Sequence, residues 1–183
     1  MKFVIIMGPQ AVGKMTVGEN IAERTGMKLF HNHMTIDLLL KIFNWNEIKS
    51  LNTSFREEIF KAFSKLDNKQ GLIFTYLMDF DNPEEWEYIK HITSIFDNAE
   101  VYYIELLSDL ETRLYRNKTP NRLQKKWTKR NIIENEHRMK ETMKCHRTSS
   151  NEGEVTFENY LRIDNSNLSA EETTKIVIEK FDF

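Results

Sequence analysis

Nine residues near the start of the chain, GPQAVGKMT (Gly8–Thr16), carry the strongest chemical signal in the sequence. Gly8 and Gly13 bracket Pro9, Gln10, Ala11 and Val12, and Lys14 follows directly, which is the pattern G-x-x-x-x-G-K. Glycines let the backbone curl so that successive N–H groups point inward, forming a concave anion site. Lys14 adds a compact full charge that can follow a β- or γ-phosphate. A helix beginning at Lys14 adds the positive end of its dipole. The pattern therefore predicts that Gly8–Thr16 binds the phosphates of a nucleotide. The plainer alternative is a tight strand–helix turn that happens to hold two glycines and a lysine.

Met15 departs from the pattern. A hydroxyl at that position normally coordinates Mg²⁺, and a thioether is a soft, poor ligand for a hard cation. Thr16 lies one residue later, about 100° further round a helix, which suits the α-phosphate better than the metal. The expectation is that Mg²⁺ enters with the nucleotide, held by phosphate oxygens, water and a distant carboxylate. Thr16 and Asp79 are the candidate residues on the metal side. Asp79 and Asp81 follow an apolar run, and Asp81 reads equally well as a helix cap.

Other residues could handle a proton or an anion. His31 and His33 stand just after a short apolar run, and a neutral imidazole accepts a proton near pH 7. Their spacing could suit a metal, but no third ligand is evident. One could instead cap a helix while the other packs, and Asp37 is an alternative base. Between Arg113 and Arg130 lie eight basic residues and no acid. Such a run is usually a solvated face; with Trp127 beside it, it also fits a nucleic-acid acceptor.

The elements that must position these groups alternate along the chain. Residues 2–7, 28–30, 71–77, 101–107 and 160–163 read as short apolar strands. Helices are expected from Lys14 to Arg24, His33 to Phe43, Asn46 to Asn68, from Pro83, from Ser108, from about Thr128 to Lys144, and from Ser169 to the end. Asn82-Pro83 opens one helix. Ser108–Glu111 and Ser169–Glu172 have the form of capping boxes. Residues 145–158 read as a loop. Five strands alternating with helices imply an α/β fold with a parallel sheet covered on both faces. Ligands in such folds sit at the carboxyl ends of strands, which is where the 8–16 loop and the two histidines fall.

Bulk properties limit the choices. The 183 residues suit one domain, residues 1–183. With 40% hydrophobic and 30% charged residues, the composition is that of an ordinary globular chain. A formal net charge of -2 gives no global field for nucleic acid or anionic membrane. The single cysteine, Cys145, cannot form an internal disulfide and fits a reducing cytosol. No apolar run is long enough to span a bilayer or to act as a signal peptide.

At this level the sequence resembles the P-loop small-molecule kinases of the shikimate kinase, gluconate kinase and adenylate kinase group. GPQAVGK, Phe55-Arg56, the basic segment 113–130 and RIDNSNLSAEET carry the likeness, in order, over nearly the whole chain. The resemblance implies a five-stranded sheet in the order 2-3-1-4-5, a substrate region between strands two and three, and a lid at about 117–130. It aims Arg56 at an anionic group of the substrate; the alternative is a surface arginine paired with a neighbouring glutamate. It places Arg116 on the nucleotide side and Arg122 at the transferred phosphoryl group. Asp164–Asn167 would hold the adenine, or form only an Asx-rich turn. Where shikimate-kinase-like proteins carry acids, this chain has His31 and His33, which makes shikimate itself a poor candidate. The implied activity is ATP-dependent phosphoryl transfer to a hydroxyl of a small metabolite, with Mg²⁺. Two alternatives stand beside it: a nucleotide-binding module with little turnover, and a kinase acting on nucleic-acid ends.

Overall fold

The computed structural model describes residues 1–67, 70–120 and 131–183. The elements run β1 (Lys2–Met7), α1 (Lys14–Thr25), β2 (Lys28–His31), α2 (His33–Leu39), α3 (Lys49–Ser64) and β3 (Gly71–Thr75). Then follow α4 (Pro83–Ser94), β4 (Glu100–Leu107), α5 (Leu110–Asn117), α6 (Ile132–Cys145), β5 (Tyr160–Asp164) and α7 (Ala170–Phe181). The strands form one sheet in the order β2-β3-β1-β4-β5, and every pairing is parallel. This is the expected α/β architecture.

The sheet is apolar on both faces because β1 alternates between two cores. Phe3, Ile5 and Met7 face one, with Phe60 of α3 and with Ile89 and Ile92 of α4. Val4 and Ile6 face the other, with Val17 and Ile21 of α1 and Val177 of α7. This is the period of two that a strand imposes. Phe60 is fully buried and meets the rings of Phe3, Phe30, Phe74 and Phe96 at 5.0–5.9 Å, so it anchors α3.

The helix ends follow the sequence with two revisions. Gly26 closes α1 in the left-handed region, Asn82 caps α4 through the Glu84 N–H, and Ser169 with Glu172 forms a full capping box on α7. The cap of α5, however, is Asp109, which accepts from Thr112 N–H at 2.7 Å; Ser108 stands one residue outside. A carboxylate satisfies the same orphan amides as a hydroxyl and adds a favourable charge at the dipole's positive end. The helices expected over 33–43 and 46–68 are shorter than their apolar spacing suggested, since α2 ends at Leu39 and α3 spans only Lys49–Ser64.

Residues 146–158 lack regular structure but are fastened to the sheet. Glu105, fully buried on β4, accepts from Ser150 N at 2.7 Å, from Ser150 Oγ at 2.6 Å and from the Tyr160 hydroxyl. Arg147 donates to Asp81 at 2.9 Å and to both carboxylate oxygens of Glu154 at 2.5 and 2.7 Å. Among the described residues no helix is long and apolar enough to cross a membrane.

Gly71 begins β3 at φ 120°, where a Cβ would lie 1.9 Å from the Lys2 carbonyl oxygen. Gly153 is also left-handed, at φ 74°, but a Cβ there would meet nothing within 4 Å. Gly71→Ala is expected to destabilise by about 3 kcal/mol or more, from strain and overlap together, and Gly153→Ala by roughly 1 kcal/mol. Urea unfolding of the two variants checks the difference, and equal losses would show that the β1–β3 edge yields easily.

Candidate active site

The loop between β1 and α1 is built from backbone conformations that ordinary residues avoid. Gly8 and Gly13 have φ of 133° and 108°, and Ala11 lies at 63°. A Cβ on Gly8 would come within 2.2 Å of the Leu106 carbonyl, so the loop passes tightly beneath the end of β4. A positive φ on Ala11 costs about 1 kcal/mol or more, and such strain collects at ligand-binding loops. Gly13 caps α1 with no side-chain hydrogen bond, and the first turn has no acid, so nothing internal neutralises the helix N-terminus. Lys14 Nζ donates to the Gly8 carbonyl and, at 2.7 Å, to the Pro9 carbonyl, which holds the ammonium against the loop.

The β5–α7 connection braces this loop. Asn165 is 2% exposed; its amide nitrogen donates to Val12 O at 2.9 Å, and its amide oxygen accepts from Arg116 Nη1 at 3.0 Å. Arg116 also reaches Val12 O at 3.2 Å, Asn165 O at 2.7 Å and Leu168 O at 3.1 Å. Desolvation lowers the Arg116 pKa from its ordinary value, opposed by Asp109 and Asp164.

Residues 10–17 form the floor of a cavity of about 500 Å³. The sheet order divides its walls. From the β4–β5 side come Arg116, Asn165 and residues 168–170; from the β2–β3 side come Asn32, His33, Ile36, Trp45, Thr75 and Leu77, with Arg138 of α6 above. Met15 is 8% exposed and stands in this floor beside Thr16. Among the named sequence candidates, residues 10–16, Arg116 and His33 thus share one cavity. Gly8 and Pro9 shape the loop without lining it. His31 does not line it, nor do Arg56 and Asp79. Arg122 lies outside the described residues.

His33 has the Asp37 carboxylate 3.1 Å from Nδ1, one helical turn away. That neighbour favours the tautomer with hydrogen on Nδ1, making Nε2 the basic nitrogen. Arg56 behaves differently from the expectation of a substrate-facing cation. It is 5% exposed, and its Nε donates to Thr35 Oγ1 at 3.2 Å while Nη2 reaches Asn32 O at 3.2 Å and Asn32 Oδ1. The Asn52 amide, oriented to donate to Thr35, accepts from Nη1 and Nη2 at 3.3 and 2.9 Å. Asp79 pairs with His146 Nδ1 at 2.7 Å and accepts from Asp81 N–H at 3.2 Å. Burial pushes the Asp79 carboxyl up, but the hydrogen bonds from His146 and the backbone outweigh it and hold it below the usual carboxylate range.

The sequence did not single out Asn32, Ile36, Trp45, Leu77 or Arg138. Trp45 and Arg138 meet over the cavity, with the guanidinium 5.8 Å from the ring centre. The available signal was weak: a lone tryptophan within a polar stretch.

Solved structures share this architecture. The gluconokinase of Sinorhizobium meliloti 1021 matches over 99% of this chain and 91% of its own, with TM-score 0.61 and 12% identity. The APS kinase of Mycobacterium tuberculosis, solved with AMPPNP and APS, matches over 100% and 98%, with TM-score 0.59 and 12% identity. The shikimate kinase of Acinetobacter baumannii, solved with shikimate, matches over 99% and 93%, with TM-score 0.54 and 14% identity. The chain therefore has the fold of the P-loop small-molecule kinases, in their strand order. No protein-family model matches the sequence, and no curated protein matches it either.

Asn165→Ala removes partners from both Val12 O and Arg116 Nη1 in a buried place. It is expected to cost about 2 kcal/mol and to weaken binding of an ATP analogue, as read by chemical unfolding and calorimetry. Unchanged nucleotide affinity in a destabilised variant would separate the brace from the phosphate loop.

Proposed function

We propose that the protein is an ATP-dependent kinase that phosphorylates a hydroxyl of a small molecule, acting as one domain, residues 1–183; the lid expected at about 117–130 lies mostly outside the described residues. The observation that carries this reading is the shared cavity. The curled loop and Lys14 lie on its floor, and an Asp37-backed His33 stands on the acceptor wall.

In this reading the amides of residues 8–14 and the Lys14 ammonium hold the β- and γ-phosphates. The ammonium leaves the Gly8 and Pro9 carbonyls for phosphate oxygens, a better partner for a full charge. Arg116, Asn165 and Ser169 shape the side that receives the nucleoside. His33 Nε2 accepts the proton of the acceptor hydroxyl as its oxygen bonds to the γ-phosphorus. The bond to the β–γ bridging oxygen breaks, ADP departs, and the proton passes from imidazole to solvent. Arg122 is kept as the lid arginine that offsets charge on the transferred group.

Among the described residues no carboxylate lines the cavity and no cluster of three acidic, histidine or cysteine side chains could hold a metal. Met15 replaces the usual hydroxyl, and Thr16 is the one hydroxyl of the loop. Magnesium accompanies the nucleotide in this proposal, and no step is assigned to it. The same observation favours the second reading, a nucleotide-binding module with little turnover. The nucleic-acid reading gains nothing from Arg113 and Arg116, which are engaged internally, whereas Lys118 is exposed and the other five bases of the 113–130 run lie outside the described residues. Arg113 is 3% exposed, Arg116 is held by four acceptors, and Lys118 pairs with Glu136 at 2.9 Å.

Lys14→Ala is expected to abolish turnover of ATP against a panel of hydroxyl compounds; normal turnover refutes the phosphate-loop assignment. His33→Gln should lower kcat about 10²–10⁴-fold with nucleotide affinity kept. Asp37→Asn should lower it less, because the imidazole remains while its orientation loosens. Met15→Ser supplies the missing hydroxyl, so the Mg²⁺ dependence of nucleotide affinity should steepen. An identical magnesium titration in Met15→Ser and the parent protein would remove Met15 from the account of the metal.

A further inference from the structure

The two halves of the cavity differ in chemistry, and the β2–β3 half describes the acceptor. In the kinase reading, on which this inference rests, that half must hold the molecule that brings the hydroxyl. Its described wall is made of Ile36, Trp45 and Leu77, with Asn32, Thr75 and His33 as the polar residues. Among the described residues no carboxylate lines this half to grip the hydroxyls of a sugar. Some of the polar groups are engaged: Thr75 Oγ1 accepts from Asn32 N–H at 3.0 Å, and Asn32 Oδ1 accepts from Arg56 behind the wall.

An anionic acceptor would need a cation. Arg56 is buried behind this wall, with an acceptor on each of its three nitrogens, and does not line the cavity. Arg138 is the described cation on this side. Its Nη2 is 2.8 Å from Glu134, and its guanidinium lies over the Trp45 ring. Moving a carboxylate against Ile36, Trp45 and Leu77 would cost its hydration, and Arg138 would have to leave Glu134 to meet it. An apolar body loses nothing by the same move and gains on burial. Trp45 itself stands between Asn44 and Asn46, but the residues before them add exposed apolar surface, with Leu38, Ile42, Phe43 and Trp45 40–72% exposed.

We propose that the acceptor is an uncharged alcohol with an apolar, aromatic-bearing body: one hydroxyl meets His33, and the body lies against Ile36, Leu77 and the Trp45 face. Trp45 is then a specificity-determining residue that touches substrate. Gluconate-like and shikimate-like acids meet among the described residues of this wall a single cation, Arg138, which is already paired with Glu134.

The test uses the full chain, with AMPPNP for binding and ATP for transfer. The probes are benzyl alcohol, 2-phenylethanol and 3-phenylpropan-1-ol, compared with gluconate, shikimate and sorbitol. Dissociation constants by calorimetry should fall about threefold per added methylene along the aryl series, while the acids and the polyol give no saturable binding. Trp45→Ala should weaken the aryl alcohols at least tenfold and leave AMPPNP affinity unchanged, with Trp45→Phe restoring most of the loss. A flat aryl series, unaltered affinity in Trp45→Ala, or saturable binding of gluconate or shikimate each overturns the inference. Transfer to gluconate or shikimate overturns it while upholding the kinase reading. Aryl alcohols that bind in the expected order but are never phosphorylated uphold the wall chemistry and sink the kinase reading.

Discussion

The Val12 carbonyl is the point on which the site depends. It accepts from two side chains, Asn165 and Arg116, that follow β5 and β4. A loop with three left-handed residues would otherwise relax, because each such conformation is weakly favoured on its own. Arg116 spends its donors on backbone and amide oxygens of two connections, so the phosphate loop and the β5–α7 turn behave as one body. Asn165 is fastened in turn to β4 through the Leu107 carbonyl at 2.9 Å. The loop thus inherits the stiffness of the sheet beside it. A rigid ring of amides needs no reorganisation to meet an anion.

The sheet itself was legible in the sequence, and for a physical reason. A strand buried on both faces must be apolar throughout, so KFVIIM and GLIFT announce themselves without any long-range information. Their order followed only from the resemblance; the crossings do not appear in local pattern. Helix ends were less legible. The apolar stripe of α3 was read three residues too early because Asn46 and Ile48 continue the spacing, whereas the chain there makes a separate turn around Asn44 and Glu47. At α5 the two cap-competent residues stand side by side, and pattern alone does not choose between a serine and an aspartate.

The site was legible where it is local and illegible where it is not. Residues 8–16 carry their chemistry in their own spacing. The Asp79–His146 pair joins positions 67 apart, and nothing in either neighbourhood signals the other. Arg56 shows a different limit. A Phe-Arg pair on an apolar helix could serve a ligand or the interior, and the outcome depends on how many acceptors surround the guanidinium. Asn32, Thr35 and Asn52 supply them, and none of the three belongs to the pattern that made Arg56 conspicuous.

The two walls of the cavity are held with unequal strength, and in the proposed kinase reading this asymmetry suits a site that admits two molecules. The β4–β5 wall is locked by the Arg116–Asn165 network. The β2–β3 wall meets α6 where Arg138 lies over Trp45, and on the floor Gln10 Nε2 donates to Thr142 Oγ1 at 3.1 Å. A neutral hydrogen bond and a half-exposed cation–π contact are each worth on the order of 1 kcal/mol. By contrast α6 holds α5 through Lys118–Glu136 and Arg113–Met143. A ligand entering beneath α6 therefore exchanges weak contacts for its own, while one seated on the phosphate loop finds its partners already in place. In the proposed kinase reading the loop side is preorganised and the β2–β3 side adaptable, which is the division that a constant donor and a selective acceptor require.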